Sequence, residues 1–322
     1  MRIVARVVLI AAPVLAGVLL LLTAQPAHSY LPELATPTVR IKWTALPVTW
    51  NLNPNISGAH ISGTRTVAQV IQASFNTWTT APNVALSAIR GADSSISSEN
   101  SSPPGINLIC FICTDTSFSD VSTLAVTLFS FNNATGAMTK ADILFNPNPS
   151  GSMSFTTDPS SAGSNLVDLQ TVATHEIGHF FGLDHSAVVN AVMFPFSPDI
   201  RETLASDDIA GMSISYPKIP ADVPTGAITG TVRFASGGAV FGAHVFADST
   251  TGLGGFGLAV REGPVGALTD ANGNYLIAGL PVDTYTVTAE PLDQPVTNSD
   301  VADYPKLFGQ PSVDTNFTTR QH

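Results

Sequence analysis

The sequence predicts an α+β domain followed by a small all-β sandwich. Three observations carry this. Residues 64–79 repeat apolar side chains with the helical period and a second helix is read over 166–181, among stretches that alternate as strands do. Residues 218–225 hold two prolines and read as a linker. Beyond residue 226 only short alternating runs remain, separated by Gly, Asn and Asp turns.

Residues 1–29 stand apart. Arg2 and Arg6 form a basic start, residues 7–22 are apolar, and small residues at Ala27 and Ser29 suit a signal peptidase, with cleavage after Ser29. The apolar run is short for a bilayer and is interrupted by Pro13 and Gly17, so no stable membrane span is expected after cleavage. The main domain then covers 30–217. A strand is expected over 39–52 around Trp43, Val48 and Trp50. A helix is expected over 64–79, its buried stripe formed by Val67, Val70, Ile71, Ser74, Phe75 and Trp78. A short strand follows over 84–89, then a Ser/Asn/Pro-rich loop over 91–105. Segments 124–131 and 141–145 flank the turn signal at 132–136 and predict a hairpin. A second helix is expected over 166–181. A third runs from an N-cap at Ser206, with Asp207 and Asp208 in its first turn, to Ser215. The sandwich over 226–291 should hold strands at 227–234, 243–247, 266–269, 275–277 and 284–289, and the polar tail 292–322 gives no pattern.

Asp and Glu outnumber Lys and Arg 24 to 13, for a formal net charge of −11. No basic patch is present to meet phosphates, so a nucleic-acid partner is excluded. Low charge density with many Ser, Thr, Asn, Gly and Pro residues suits an exported, loop-rich protein. The two cysteines, Cys110 and Cys113, have no further Cys pair or nearby His to complete a zinc site, and a local disulfide is expected. Nothing in the sequence sets an oligomeric state.

The chemistry lies in His175-Glu176-Ile177-Gly178-His179-Phe180-Phe181-Gly182-Leu183-Asp184-His185. Helical residues four apart share a face, so His175 and His179 can grip one Zn²⁺ ion. Gly182 can take positive φ, end the helix and bring His185 back as a third ligand. Three protein ligands leave the fourth tetrahedral position open, which is the catalytic arrangement. Glu176 sits beside the first ligand, where it can take a proton from water and pass it to a leaving amine. Asp184 is read either as a group supporting the third ligand or as a solvated turn carboxylate.

The signature, with Met193 in Ala191-Val192-Met193-Phe194-Pro195, resembles the metzincins and their Met-turn. Asp207-Asp208-Ile209-Ala210-Gly211, Ala73-Ser74-Phe75-Asn76-Thr77-Trp78 and the hairpin at 135–145 are most similar to the matrixins. The resemblance covers about 39–217. It implies a metzincin-type zincin domain, with a twisted mixed sheet and three helices. It also implies one catalytic zinc, a methionine packed beneath it, and a protein or peptide substrate extended along an edge strand near 124–128. Residues 194–204 should line part of the specificity pocket. Phe196 stands near where astacins and serralysins carry a ligating Tyr and cannot bind metal. No Cys lies between Ser29 and the first strand to act as a latch. His60 is the only His between the leader and His175, so a second, structural zinc is not expected. Structural Ca²⁺ is left open through Asp93, Asp115, Asp120 or Asp142.

The C-terminal segment resembles the carboxypeptidase regulatory-like domain, a transthyretin-like or Ig-like sandwich. The resemblance rests on Gly230-Thr231-Val232, Thr269-Asp270-Ala271-Asn272-Gly273-Asn274-Tyr275, Leu280-Pro281 and Tyr285-Thr286-Val287. It implies an accessory module, with His244 as a strand residue. Together the resemblances imply a zinc endopeptidase; the leader implies secretion, and the brevity of the N-terminal region suggests bacterial export. One alternative is a non-catalytic, zinc-stabilised extracellular binding or adhesion protein, against which Glu176 argues. The other is a narrowly specific processing protease.

Overall fold

The computed structural model describes residues 2–8, 30–98, 102–113, 118, 122–147, 153–196, 199–251, 256, 263–301 and 303–322. Chain order begins with β1 (Arg2–Val8), β2 (Leu34–Thr36), β3 (Val39–Arg40), β4 (Val48–Leu52), β5 (Ile61–Ser62) and α1 (Val67–Thr79). β6 (Ala88–Arg90), β7 (Leu108–Cys110), β8 (Ala125–Phe131) and β9 (Met138–Phe145) follow. The domain closes with β10 (Ser154–Thr156), β11 (Leu166–Asp168), α2 (Leu169–Phe180) and α3 (Ser206–Ser215).

Its main sheet has the order β6-β4-β7-β9-β8. All neighbours are parallel except the antiparallel hairpin β8–β9, which puts β8 on the edge. Helix α1 starts at a capping box, in which Thr66 Oγ1 accepts from Gln69 N–H and Gln69 Oε1 accepts from Thr66 N–H. The expected stripe Val67, Val70, Ile71, Ser74, Phe75 and Trp78 is buried in full. Trp50 stacks on Phe75 at 4.8 Å between centroids, and Phe75 meets Phe180 edge-on at 5.3 Å. The sheet, α1 and α2 thus share one core. Cys110 and Cys113 form the expected disulfide.

Several boundaries differ from expectation. The strand over 39–52 is two pieces, β3 and β4, because Lys42 turns away to bond Gly136 O and Pro47 has no N–H for a ladder. Val84 makes only an isolated bridge to Pro217, so the strand expected over 84–89 shrinks to β6. Residues 166–168 are strand rather than helix. They pair with β10, and Asp168 then caps α2 by accepting from Thr171 N–H at 2.7 Å. The cap of α3 is Ala205 rather than Ser206, because the Asp208 carboxylate reaches back to Ala205 N–H.

The C-terminal module holds β12 (Thr225–Arg233), β13 (His244–Ser249), β14 (Val265–Leu268), β15 (Asn274–Pro281), β16 (Tyr285–Glu290), α4 (Asp303–Leu307) and β17 (Arg320–Gln321). The sheets β1-β12-β15 and β14-β13-β16-β17 enclose a second core around Val232, Val245 and Ile277. Of the expected leader, only β1 is described, beside β12, and the cleavage position lies outside the described residues. No described helix is long and apolar enough to cross a membrane. The linker is fastened to the main domain. Asn83 N–H donates to Asp222, and the Asn83 amide exchanges bonds with Val223.

Candidate active site

Helix α2 carries His175, Glu176 and His179, and ten of its twelve residues are buried. It ends at Phe180, and Gly182 turns the chain with φ of +93°. A Cβ on Gly182 would overlap Ile41 O, so the position demands glycine on two counts. That turn delivers His185. Among the described residues, His175, His179 and His185 are the one group of three placed to hold a metal, with ligand atoms within 4.8 Å of one another.

The hydrogen bonds test whether zinc fits. His175 Nδ1–H donates to Val192 O at 2.7 Å, and His179 Nδ1–H donates to Leu183 O at 2.7 Å. His185 Nδ1–H is aimed at Asp300 O at 3.3 Å. A neutral imidazole has one N–H, so each bond leaves an Nε2 lone pair free. Two such lone pairs, on His175 and His179, face each other at 3.2 Å. Burial lowers His175 to about 3, with His185 adding to the effect, and burial holds His179 well below its ordinary value. Extra protons therefore do not occupy the gap near neutrality. Three converging imidazole nitrogens, two of them kept unprotonated by burial, suit a borderline-soft cation such as Zn²⁺.

Glu176 is 5% exposed and lines the same cleft. Thr127 Oγ1–H on β8 donates to Glu176 Oε2 at 2.6 Å. Burial raises the Glu176 carboxyl to about 7 against the opposing pull of that bond. A carboxyl that exchanges a proton near neutrality suits general base and acid work. Thr127 fixes which oxygen faces the cleft. Replacing Thr127 with Val should lower kcat about tenfold, the worth of a hydrogen bond to a charged group, with KM nearly unchanged. Steady-state kinetics decide the point; an equal rise in KM would assign Thr127 to substrate binding.

Met193 is 2% exposed and packs against Gly178. Its loop is fixed by Asp208, which accepts from Val192 N–H at 2.8 Å and Met193 N–H at 3.1 Å. A Cβ on Gly178 would overlap Met193 Sδ. Gly178→Ala should therefore destabilise the fold by about 1–3 kcal/mol through overpacking, despite alanine's better helix propensity. Urea unfolding reads this, and a stabilised variant would refute the tight fit.

The cleft, about 610 Å³, runs between Leu124, Val126 and Thr127 on the β8 side and Phe194, Pro195 and Phe196 opposite. Phe196 is 47% exposed. Arg201 closes one end; it is 3% exposed, donates to Ala191 O and lies over the Phe194 ring. Residues 197 and 198 of the expected pocket segment lie outside the described residues.

Asp184 is half-buried and lines the cleft. Its Oδ1 accepts from His185 N–H at 2.7 Å, and burial raises its carboxyl to about 6 against the pull of His185. Glu33 and Asp300 were not legible as site residues. Glu33 comes within 4.0 Å of His179 Nδ1, and burial followed by Asp184 raises it well above the carboxylate range. Two of the four calcium candidates have other partners. Asp142 pairs with Lys140 and accepts from Leu108 N–H, and Asp93 pairs with Arg90. Asp115 and Asp120 lie outside the described residues. His60 is exposed, and His244 pairs with Glu290 in the sandwich.

Comparison with known proteins follows this division. Residues 117–217 match the matrixin family model, and residues 227–302 match the carboxypeptidase regulatory-like domain. A 55-residue segment is 49% identical to Metalloendoproteinase 5-MMP of Arabidopsis thaliana, over 16% of this chain and 15% of that protein. Karilysin of Tannerella forsythia is 37% identical over 86 residues, 25% of this chain and 18% of that protein. Matrilysin of Rattus norvegicus is 45% identical over 65 residues, 19% of this chain and 23% of that protein. The matches thus span less than a quarter of each of these relatives.

Proposed function

We propose that this chain, which carries a matrixin domain followed by a carboxypeptidase regulatory-like domain, is a secreted zinc-dependent endopeptidase. One observation carries the reading: three histidine nitrogens converge in a cleft that also holds a buried, oriented carboxyl group.

His175, His179 and His185 would hold the zinc, each aligned by a carbonyl on its far nitrogen. Bound Zn²⁺ supplies Lewis acidity, polarising a peptide carbonyl and acidifying water. Glu176 takes the proton of the attacking water and returns it to the departing amine nitrogen. Thr127 keeps the carboxylate turned toward that exchange. β8 offers a free edge beside the cleft, where an extended substrate can add as a further strand. The wall at Phe194, Pro195 and Phe196 is apolar and suits an apolar side chain next to the cut bond.

The test is digestion of casein and of a peptide library by the zinc-loaded chain. Fragments should appear, vanish with chelator and return with added Zn²⁺. A zinc-loaded chain that cuts neither casein nor any library peptide would sink the reading and leave a zinc-stabilised binding protein.

A further inference from the structure

We propose that the C-terminal module is part of the zinc site, with the segment around Asp300 positioning the third ligand. This rests on the zinc reading of the three histidines. His175 and His179 find their carbonyl partners nearby in sequence, at Val192 and Leu183. His185 does not. Its Nδ1 is aimed at Asp300 O, 115 residues downstream and beyond the sandwich strands. That carbonyl completes a pattern in which every ligand has its far nitrogen oriented by backbone.

The Asp300 carbonyl is held in place. Asp300 Oδ2 accepts from Thr297 N–H at 2.8 Å and Thr297 Oγ1–H at 2.9 Å, closing the turn that presents it. Val296, Val301 and Tyr304 around this turn are buried in one cluster with Leu31 and Phe194, the residue after Met193. A second connection reaches the neighbour of the ligand. Ser186 Oγ–H donates to Asp207 Oδ2 at 2.6 Å, and Asp207 Oδ1 accepts from Gly266 N–H of β14 at 2.8 Å. Gly266 has no room for a Cβ, which would meet Val188 of the site loop and His244. The sandwich therefore abuts the loop that carries His185, and its tail supports the imidazole directly. Asp300 is a positioning residue and touches neither zinc nor substrate.

The experiment compares the full chain with Asp300→Ala, Asp300→Asn and, as a distant control, Asp283→Ala. Asp283 holds a turn of the sandwich through Ser249 and Thr251. Zinc affinity is measured by competition with a chromophoric chelator, and ligand geometry by the visible spectrum of the Co²⁺-loaded protein. Loss of a partner behind a metal-bound histidine weakens binding by about 10- to 100-fold. Asp300→Ala keeps the carbonyl but frees the turn that holds it, so it should show a loss at the lower end of that range and an altered cobalt spectrum. Asp300→Asn keeps an acceptor oxygen and should restore both, while Asp283→Ala should match wild type in both. If Asp300→Ala does not fold, Thr297→Val, which removes one of the two bonds to the turn, takes its place with a smaller loss expected. Wild-type affinity and spectrum in these variants would overturn the proposal. A wild-type chain that binds no zinc would instead overturn the zinc reading itself.

Discussion

Glu176→Gln should lower kcat by about 10²- to 10⁴-fold, the usual contribution of a positioned general base. Zinc content and folding should be unchanged. Glutamine keeps the shape and an oxygen that can accept from Thr127 Oγ1–H, so the contact with β8 survives. It cannot take a proton near neutrality, and only that ability is removed. Glu176 is 5% exposed, so replacing a carboxyl there with an amide also removes a buried ionisable group. The variant should melt at or above the wild-type temperature. Thr127→Val, which alone costs about tenfold, should have little further effect in the E176Q background, because the two act through one carboxylate. Single-turnover cleavage of a peptide, beside metal analysis and a melting curve, checks each point. A metal-loaded E176Q protein with wild-type kcat would remove Glu176 from the chemistry.

Removing zinc should abolish activity and also lower the melting temperature. The Nε2 atoms of His175 and His179 face each other at 3.2 Å with no proton between them, so the metal-free site sets two lone pairs against each other. A ligand that binds only the folded chain, present at about 100 times its dissociation constant, stabilises it by about 2.7 kcal/mol. For a domain of this size that is a rise of about 5–10 °C. Zn²⁺ should restore both activity and melting temperature after chelation. Mg²⁺ should restore neither, because it prefers oxygen ligands to imidazole. Differential scanning calorimetry reads the shift. Coincident melting of the stripped and zinc-loaded chains would mean that the histidines hold no ion.

Features written in local pattern were legible in the sequence. The α1 stripe from Val67 to Trp78 is buried as its period requires, and the zinc histidines converge as their spacing requires. The matrixin match at 117–217 and the sandwich match at 227–302 agree with the family resemblances drawn from the motifs. Features that depend on distant partners were not legible. Leu166–Asp168 looked like the start of a helix because its apolar residues continue the period of α2, yet pairing with β10 claims them as strand. Thr127 sits on an ordinary strand, and only the fold brings it to Glu176, 49 residues away. The tail beyond residue 291 gave no pattern because its work is done by a backbone carbonyl, which every residue has.

Helix α2 has almost no face left for water. Such a helix draws its stability from its surroundings rather than from itself, so it has little reason to persist on a chain still leaving the ribosome. Its carboxylate accepts from a hydroxyl on β8, and His185, beyond its C-terminal end, is backed by the Asp300 carbonyl. The site therefore comes together only after the segment around Asp300 has been made. Until then the groups proposed to act together stand apart, and on the endopeptidase reading neighbouring nascent copies would be safe from cleavage.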